Sequence, residues 1–285
     1  MRPTLLTLLR RLSLPLILGG FLVAHIYPTQ AESRAAPLAD SPLASRLHGE
    51  EALQALGSRM RDVAQFHRLD EDTLRGLFQR DRSLWVDRQG RLIYVCELGP
   101  RPQQGPVGES TNTPPLNPLY ALGQTFKLHS RPGASRVIYL DFDGHDASTT
   151  IWGSGLGTAP IARPFDLDSA PYTFSTAERQ RIQFIWARVA EDYLQYDLDV
   201  TTEDPGLEAL KNTGTGRYGV RVVIGGDSLD WYGASAGGVA YLNSFDDPED
   251  RPCWVFPKGL ADDEKNIAEA CSHEAGHTLG LSHDG

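Results

Sequence analysis

His273 and His277 stand four residues apart with Glu274 beside the first, and Gly280 and His283 follow at three-residue steps. No other stretch constrains the fold as tightly. Four-residue spacing puts two imidazoles one turn apart on the same helix face, where both can reach one metal ion. Glu274 stands beside that face and can hold a water next to the ion. Gly276 removes bulk there, and Gly280 can take the positive φ that ends a helix and turns the chain back. His283 then arrives from the loop as a third donor. Three nitrogens leave a zinc ion one open position, the feature that separates a catalytic site from a closed structural one. The helix carrying this run starts near Asp262 or Asp263, whose carboxylates suit an N-cap, and passes through Ile267, Ala270 and Cys271.

Upstream, from about Lys127, short strands alternate with turn residues. Val137-Ile138-Tyr139-Leu140-Asp141-Phe142 is a β-branched and aromatic run ending at Asp143-Gly144. Ser175 and Glu178 form a capping box, and Ile182, Ile185, Trp186, Val189 and Tyr193 recur at helical spacing, so a helix of about 18 residues follows. Leu198–Thr202, Val220–Ile224, Val239–Leu242 and Cys253–Phe256 read as four further strands bounded by Gly, Pro, Asp or Asn. The order is strand, helix, four strands, helix. It predicts an α/β (α+β) domain over residues 128–285, with a five-stranded mixed sheet and two main helices.

The earlier part of the chain divides by texture. Residues 32–98 form a small α+β block. In it Leu53, Leu56, Met60, Val63 and Phe66 keep helical spacing, and Leu84–Val86 and Leu92–Val95 flank the turn Asp87-Arg88-Gln89-Gly90. Residues 99–127 read as an extended linker, since Gly99–Pro118 holds six prolines. Residues 1–31 have the layout of an export signal. Arg2, Arg10 and Arg11 precede an apolar run over Leu12–Val23, and Thr29-Gln30-Ala31 offers small residues for cleavage. The run is short of the ~20 residues of a spanning helix and contains Pro15, which favours cleavage over anchoring. The expectation is a secreted protein without stable membrane association.

A formal charge of −10 for the whole chain, which loses three arginines and no acid with residues 1–31, argues against nucleic acid as a partner. Three cysteines are too few for a disulfide scaffold, so a hydrophobic core must carry stability.

The run His273–Asp284 resembles the extended zinc signature of the metzincin metallopeptidases. The aspartate after the third histidine is similar to the adamalysin or reprolysin-like branch. The element order from residue 136 also resembles the upper half of a metzincin catalytic domain. Val137–His145, Ala190–Gly206 and Gly237–Phe245 resemble a group of secreted bacterial proteins of that class. The resemblance covers roughly residues 128–285. It implies one catalytic zinc held by His273, His277 and His283, with Glu274 as general base and then proton donor in peptide hydrolysis. A protein or peptide substrate would add as a strand beside Val239–Leu242, expected at the sheet edge. The N-terminal block would be an accessory or propeptide-like region. Metzincins place a methionine turn downstream of the third histidine. Here the only methionines are Met1 and Met60, and the sequence given stops at Gly285. That reads either as a fragment of a longer frame or as a truncated relative, and the rival function is a noncatalytic secreted zinc-binding protein.

Other candidate groups have plainer readings. Cys253 and Cys271 lie in neighbouring elements and are either bridged or two buried thiols. Cys271 is no ligand, because two residues along a helix turn it about 200° from His273. Cys96 lies just before the linker, where some metzincin propeptides carry a zinc-blocking cysteine. Val95-Cys96-Glu97-Leu98 does not match that motif, so Cys96 reads as an ordinary strand thiol. Asp141, Asp143 and Asp146, like Asp166 and Asp168, are candidates for calcium, although aspartate is common in strand-end turns. Trp231, Tyr232 and Trp254 read as core or pocket wall, and His129 and His145 as ordinary.

Overall fold

Ser175 accepts from the backbone N–H of Glu178 while the Glu178 carboxylate accepts from Ser175, a reciprocal cap that starts the helix α4 (Thr176–Asp192). Such a cap contributes about 1 kcal/mol. Asp263 does the same for the last helix, α5 (Glu264–Thr278), by accepting from Asn266 N–H at 2.9 Å. Both helices begin where the sequence places them. They pack together on one face of a sheet in this computed structural model, which describes residues 35–97, 117–152, 161–231 and 235–283. The signal-like segment, most of the linker, the side chains of Trp231 and Tyr232, and Asp284 lie outside those residues.

The main sheet has eight strands in the order β1-β2-β3-β9-β10-β8-β4-β7. Its strands are β1 (Leu47–His48), β2 (Leu84–Val86), β3 (Leu92–Glu97), β4 (Arg136–Asp141), β7 (Asp199–Thr201), β8 (Tyr218–Ile224), β9 (Ala236–Tyr241) and β10 (Cys253–Val255). The short pair β5 (His145–Asp146) and β6 (Ile161–Ala162) is separate. Strands β10, β8, β4 and β7 run parallel, and the other pairings are antiparallel.

Five of the eight strands are those read from the sequence of the C-terminal domain. The expectation of a five-stranded sheet fails because β3 of the N-terminal block pairs with β9 from Ile93↔Tyr241 to Glu97↔Ala236. The block is therefore an extension of the same sheet. Its β2–β3 turn is tied by Asp87, whose Oδ1 accepts from the N–H groups of Gln89 and Arg91, both at 2.8 Å. Gly90 takes a φ of +85° there. Helices α1 (Gly49–Leu56) and α2 (Met60–Phe66) match the spacing of Leu53 to Phe66. A third helix, α3 (Glu71–Arg80), was not anticipated. Its N-cap is Asp70, which accepts from Thr73 N–H at 2.7 Å, and it buries Leu74, Leu77 and Phe78.

Strand alternation divides the core in two. On the helix face, Ile138, Leu140, Val222 and Ile224 meet Ile182, Ile185 and Trp186 of α4 and Ile267, Cys271 and Ala275 of α5. On the other face, Ile93, Val95, Val223, Val239 and Trp254 pack with Ala147, Ile151 and Trp152. Trp254 is core, as expected. Tyr94 and Leu92 fall on the helix face and join the core of the N-terminal block with Leu53, Met60, Val63, Leu74 and Phe78. By the same alternation Cys96 faces α5. Among the described residues no helix is long and apolar enough to cross a membrane.

Candidate metal centre

Helix α5 ends as its glycines allow. Gly280 has a φ of +97°, Gly280 N–H donates to His277 carbonyl at 2.9 Å, and Leu281 N–H donates to Gly276 carbonyl at 3.0 Å. This six-to-one and five-to-two pair is the Schellman arrangement. Gly276 also leaves room for Leu281, whose Cδ1 would lie 3.4 Å from a Cβ built there. The turn returns the chain so that His283 faces the helix it has just left.

The three histidines meet through Nε2. His273 Nε2 lies 3.0 Å from His277 Nε2 and 3.1 Å from His283 Nε2. A fourth atom completes the cluster, since Cys96 Sγ lies 3.3, 3.5 and 3.8 Å from the Nε2 atoms of His273, His277 and His283. A tetrahedral zinc ion with ordinary bond lengths requires N to N edges of roughly 3.3 Å and N to S edges of roughly 3.6 Å. The five distances above lie within about 0.3 Å of those values, and the four residues could hold a metal ion. Cys96 is thus not an ordinary strand thiol, and β3 delivers it despite the absence of a recognisable blocking motif. The centre opens into a cleft of about 520 Å³ lined by Arg82, Asp81, Ser83, Cys96, His273 and His283.

Partners at Nδ1 keep the Nε2 atoms available. His277 Nδ1–H donates to Leu281 carbonyl at 2.7 Å, and His283 Nδ1 meets Asp81 Oδ2 at 3.1 Å and Ser83 Oγ at 3.0 Å. A donor hydrogen on Nδ1 places the lone pair on Nε2, the form that binds metal. Burial holds the His277 pKa down, to about 3, so its ring is neutral at pH 7. The Tyr94 ring stacks on His277, centroids 4.0 Å apart and planes 12° from parallel. Burial, followed by the charge of Glu274, drives the Cys96 thiol pKa upward. A bound cation would replace that proton, as coordinating thiols are deprotonated.

Glu274 is buried against β9. A Cβ on Gly238 would lie 2.3 Å from Glu274 Oε1, so only glycine fits opposite this carboxyl, and Gly238 is the residue paired with Cys96. Burial pushes the Glu274 pKa up to about 8, partly offset by a hydrogen bond with Cys96. Its Oε2 has no hydrogen-bond partner among the described residues.

The remaining candidates separate. Cys253 and Cys271 are both free and buried, which settles the alternative in favour of two thiols. Asp141, Asp143 and Asp146 do not converge on a common point. Asp141 Oδ2 accepts from Arg221 at 2.5 Å, and Asp146 caps Ser148 N–H at 2.9 Å. Asp166 and Asp168 do converge with Glu178, and the three could hold a metal ion. The Glu178 oxygens are already occupied by Leu167 N–H and Ser175. His129 bridges Asp199 and Glu203, and His145 packs near Asp141, both away from the centre.

Strand β9, expected at the sheet edge and open to substrate, lies inside the sheet with β3 on one side and β10 on the other. Sequence reasoning also missed Asp81, Ser83 and Tyr94. The Gly237-Gly238 doublet inside a strand was a legible cue of close backbone approach. No family model, curated protein or solved structure matches the chain.

Proposed function

We propose that this chain is a secreted zinc metalloendopeptidase of metzincin type, held closed in the form described by its own N-terminal block. The observation that carries this reading is Glu274. A carboxyl that is fully buried and lacks a partner for Oε2 costs stability, and its place beside four groups that could hold a metal ion supports a catalytic role as the reason that cost is kept. Zinc, when bound by His273, His277 and His283, would polarise the scissile carbonyl and make an adjacent water acidic. Glu274 would take a proton from the attacking water and return it to the leaving amine nitrogen. Strand β3 lies antiparallel on β9, where an extended peptide would add, and Cys96 fills the position the reacting groups need.

A second reading draws on one observation of its own. Four protein donors make a closed centre, and closed tetrahedral sites are structural ones. On that reading the protein is a noncatalytic zinc binder and Cys96 is a permanent ligand.

Replacing Cys96 by Ala in the full chain separates the two. For a peptidase, the zinc-loaded variant hydrolyses a set of short quenched fluorescent peptides, and adding Glu274→Gln lowers that rate at least ~100-fold while zinc stays bound. Zinc retention without hydrolysis by Cys96→Ala would favour the binder.

A further inference from the structure

His277 and His283 are oriented by different parts of the chain. The Nδ1 partner of His277 is Leu281 carbonyl, four residues on and part of the same helix end. The Nδ1 partners of His283 are Asp81 and Ser83, which lie about 200 positions earlier in the N-terminal block. His283 itself follows the end of α5 in a segment without helix or strand. Among the described residues, no side chain of the C-terminal domain engages its Nδ1.

Asp81 is well placed for that task. It ends α3, where its N–H donates to Leu77 carbonyl at 2.9 Å. Its Oδ1 accepts from Ser83 N–H at 3.0 Å, which leaves Oδ2 directed at His283. The side chains of Asp81 and His283 are 14% and 29% exposed, so solvent competes weakly for the contact. A carboxylate that accepts from Nδ1–H fixes the tautomer and the plane of the ring and makes Nε2 a stronger donor.

We propose that Asp81 is the positioning residue that fixes His283 as third metal donor, so that the N-terminal block assembles the metal centre as well as closing it. This rests on the reading of the cluster as a zinc site. Displacing the block would then have two effects at once. It would free the position held by Cys96, and it would release the ring of His283.

The test is a competition titration of zinc against a chromophoric chelator on the full chain, with Asp81→Ala, Asp81→Asn and His277→Ala. Cobalt absorption spectra of the same proteins accompany it. Asp81→Ala is expected to weaken zinc binding about 10- to 100-fold, the range for loss of such an outer partner. Asp81→Asn keeps an acceptor oxygen and should recover most of that loss. The sulfur-to-cobalt charge-transfer band of Cys96 should persist in Asp81→Ala, showing the block still docked, while the ligand-field bands shift. An affinity within twofold of the parent overturns the proposal. So does loss of the sulfur band together with affinity, because undocking would then explain both. Full zinc retention by His277→Ala would instead remove the underlying assignment of the metal centre.

Discussion

Gly238 faces Glu274 so closely that the glycine cannot be enlarged in place: a Cβ on it would lie 2.5 Å from Glu274 Cγ. At this point the Glu274 side chain fills the space between strand β9 and helix α5, and Cys96 lies across the pairing from the same glycine. The spacing of the sheet from the helix therefore sets where the Glu274 carboxyl stands relative to the donors.

Gly238→Ala should consequently force Glu274 or the strand to move. Overpacking of this kind costs about 1–3 kcal/mol, read as a lower urea midpoint at unchanged slope. An unshifted midpoint would show that Glu274 can leave its place without strain.

Tyr94 is fully buried and stacks on His277. Tyr94→Ala removes an aromatic ring from the core and should cost about 3–5 kcal/mol, whereas Tyr94→Phe keeps the stacking surface and should change stability far less. Zinc competition should follow the same order. Equal stability of the two variants would deny the ring its packing role.

Asp141 is fully buried and pairs with Arg221, itself 11% exposed. Arginine does not release its proton, so Asp141→Ala leaves a buried charge without its partner. The expected loss is about 3–5 kcal/mol by equilibrium unfolding. A loss below half the lower figure would mean that water reaches Arg221 once the carboxylate is gone.

Two histidines give stability opposite dependences on pH. Burial alone would lower the His129 pKa, but Glu203 and Asp199 on either side hold it above its ordinary value. Its contribution is full below the unfolded value of about 6.5 and fades as pH rises through the higher folded value. His145 is pushed down to about 4, by burial first and Arg221 second. That contribution is full above about 6.5 and is lost as pH falls toward 4. His129→Gln should therefore cost more stability at pH 5.5 than at pH 8.5, and His145→Gln should cost more at pH 8.5. Urea titrations at the two values decide it, and a pH-independent difference for both would refute the pairings.

The elements visible in the sequence are those whose cause is local. Ser175 and Glu178 cap each other three residues apart, Asp263 caps its own helix, and the residues from His273 to Gly280 form one face and one turn. Strand β4 and strand β8 each show as an apolar run between turn residues. What was not visible depends on contacts between distant segments. Val95-Cys96-Glu97 carries no pattern that selects β9 as its partner, and strand pairing fixes the side on which Cys96 emerges. Asp81 looks like any aspartate after a helix, and only the tertiary fold turns it toward His283.

The pairing of β3 with β9 also orders events in time. During synthesis the N-terminal block emerges first, with the polar edge of β3 unmatched until Ala236–Tyr241 has been made. Cys96 and His273 are 177 positions apart, so the donors assemble only after nearly the whole described chain is available. Closing so long a span is entropically slow. A nascent chain at that stage would carry an unpaired strand edge and an uncommitted thiol, the condition in which misregistered association between chains competes with completion of a sheet.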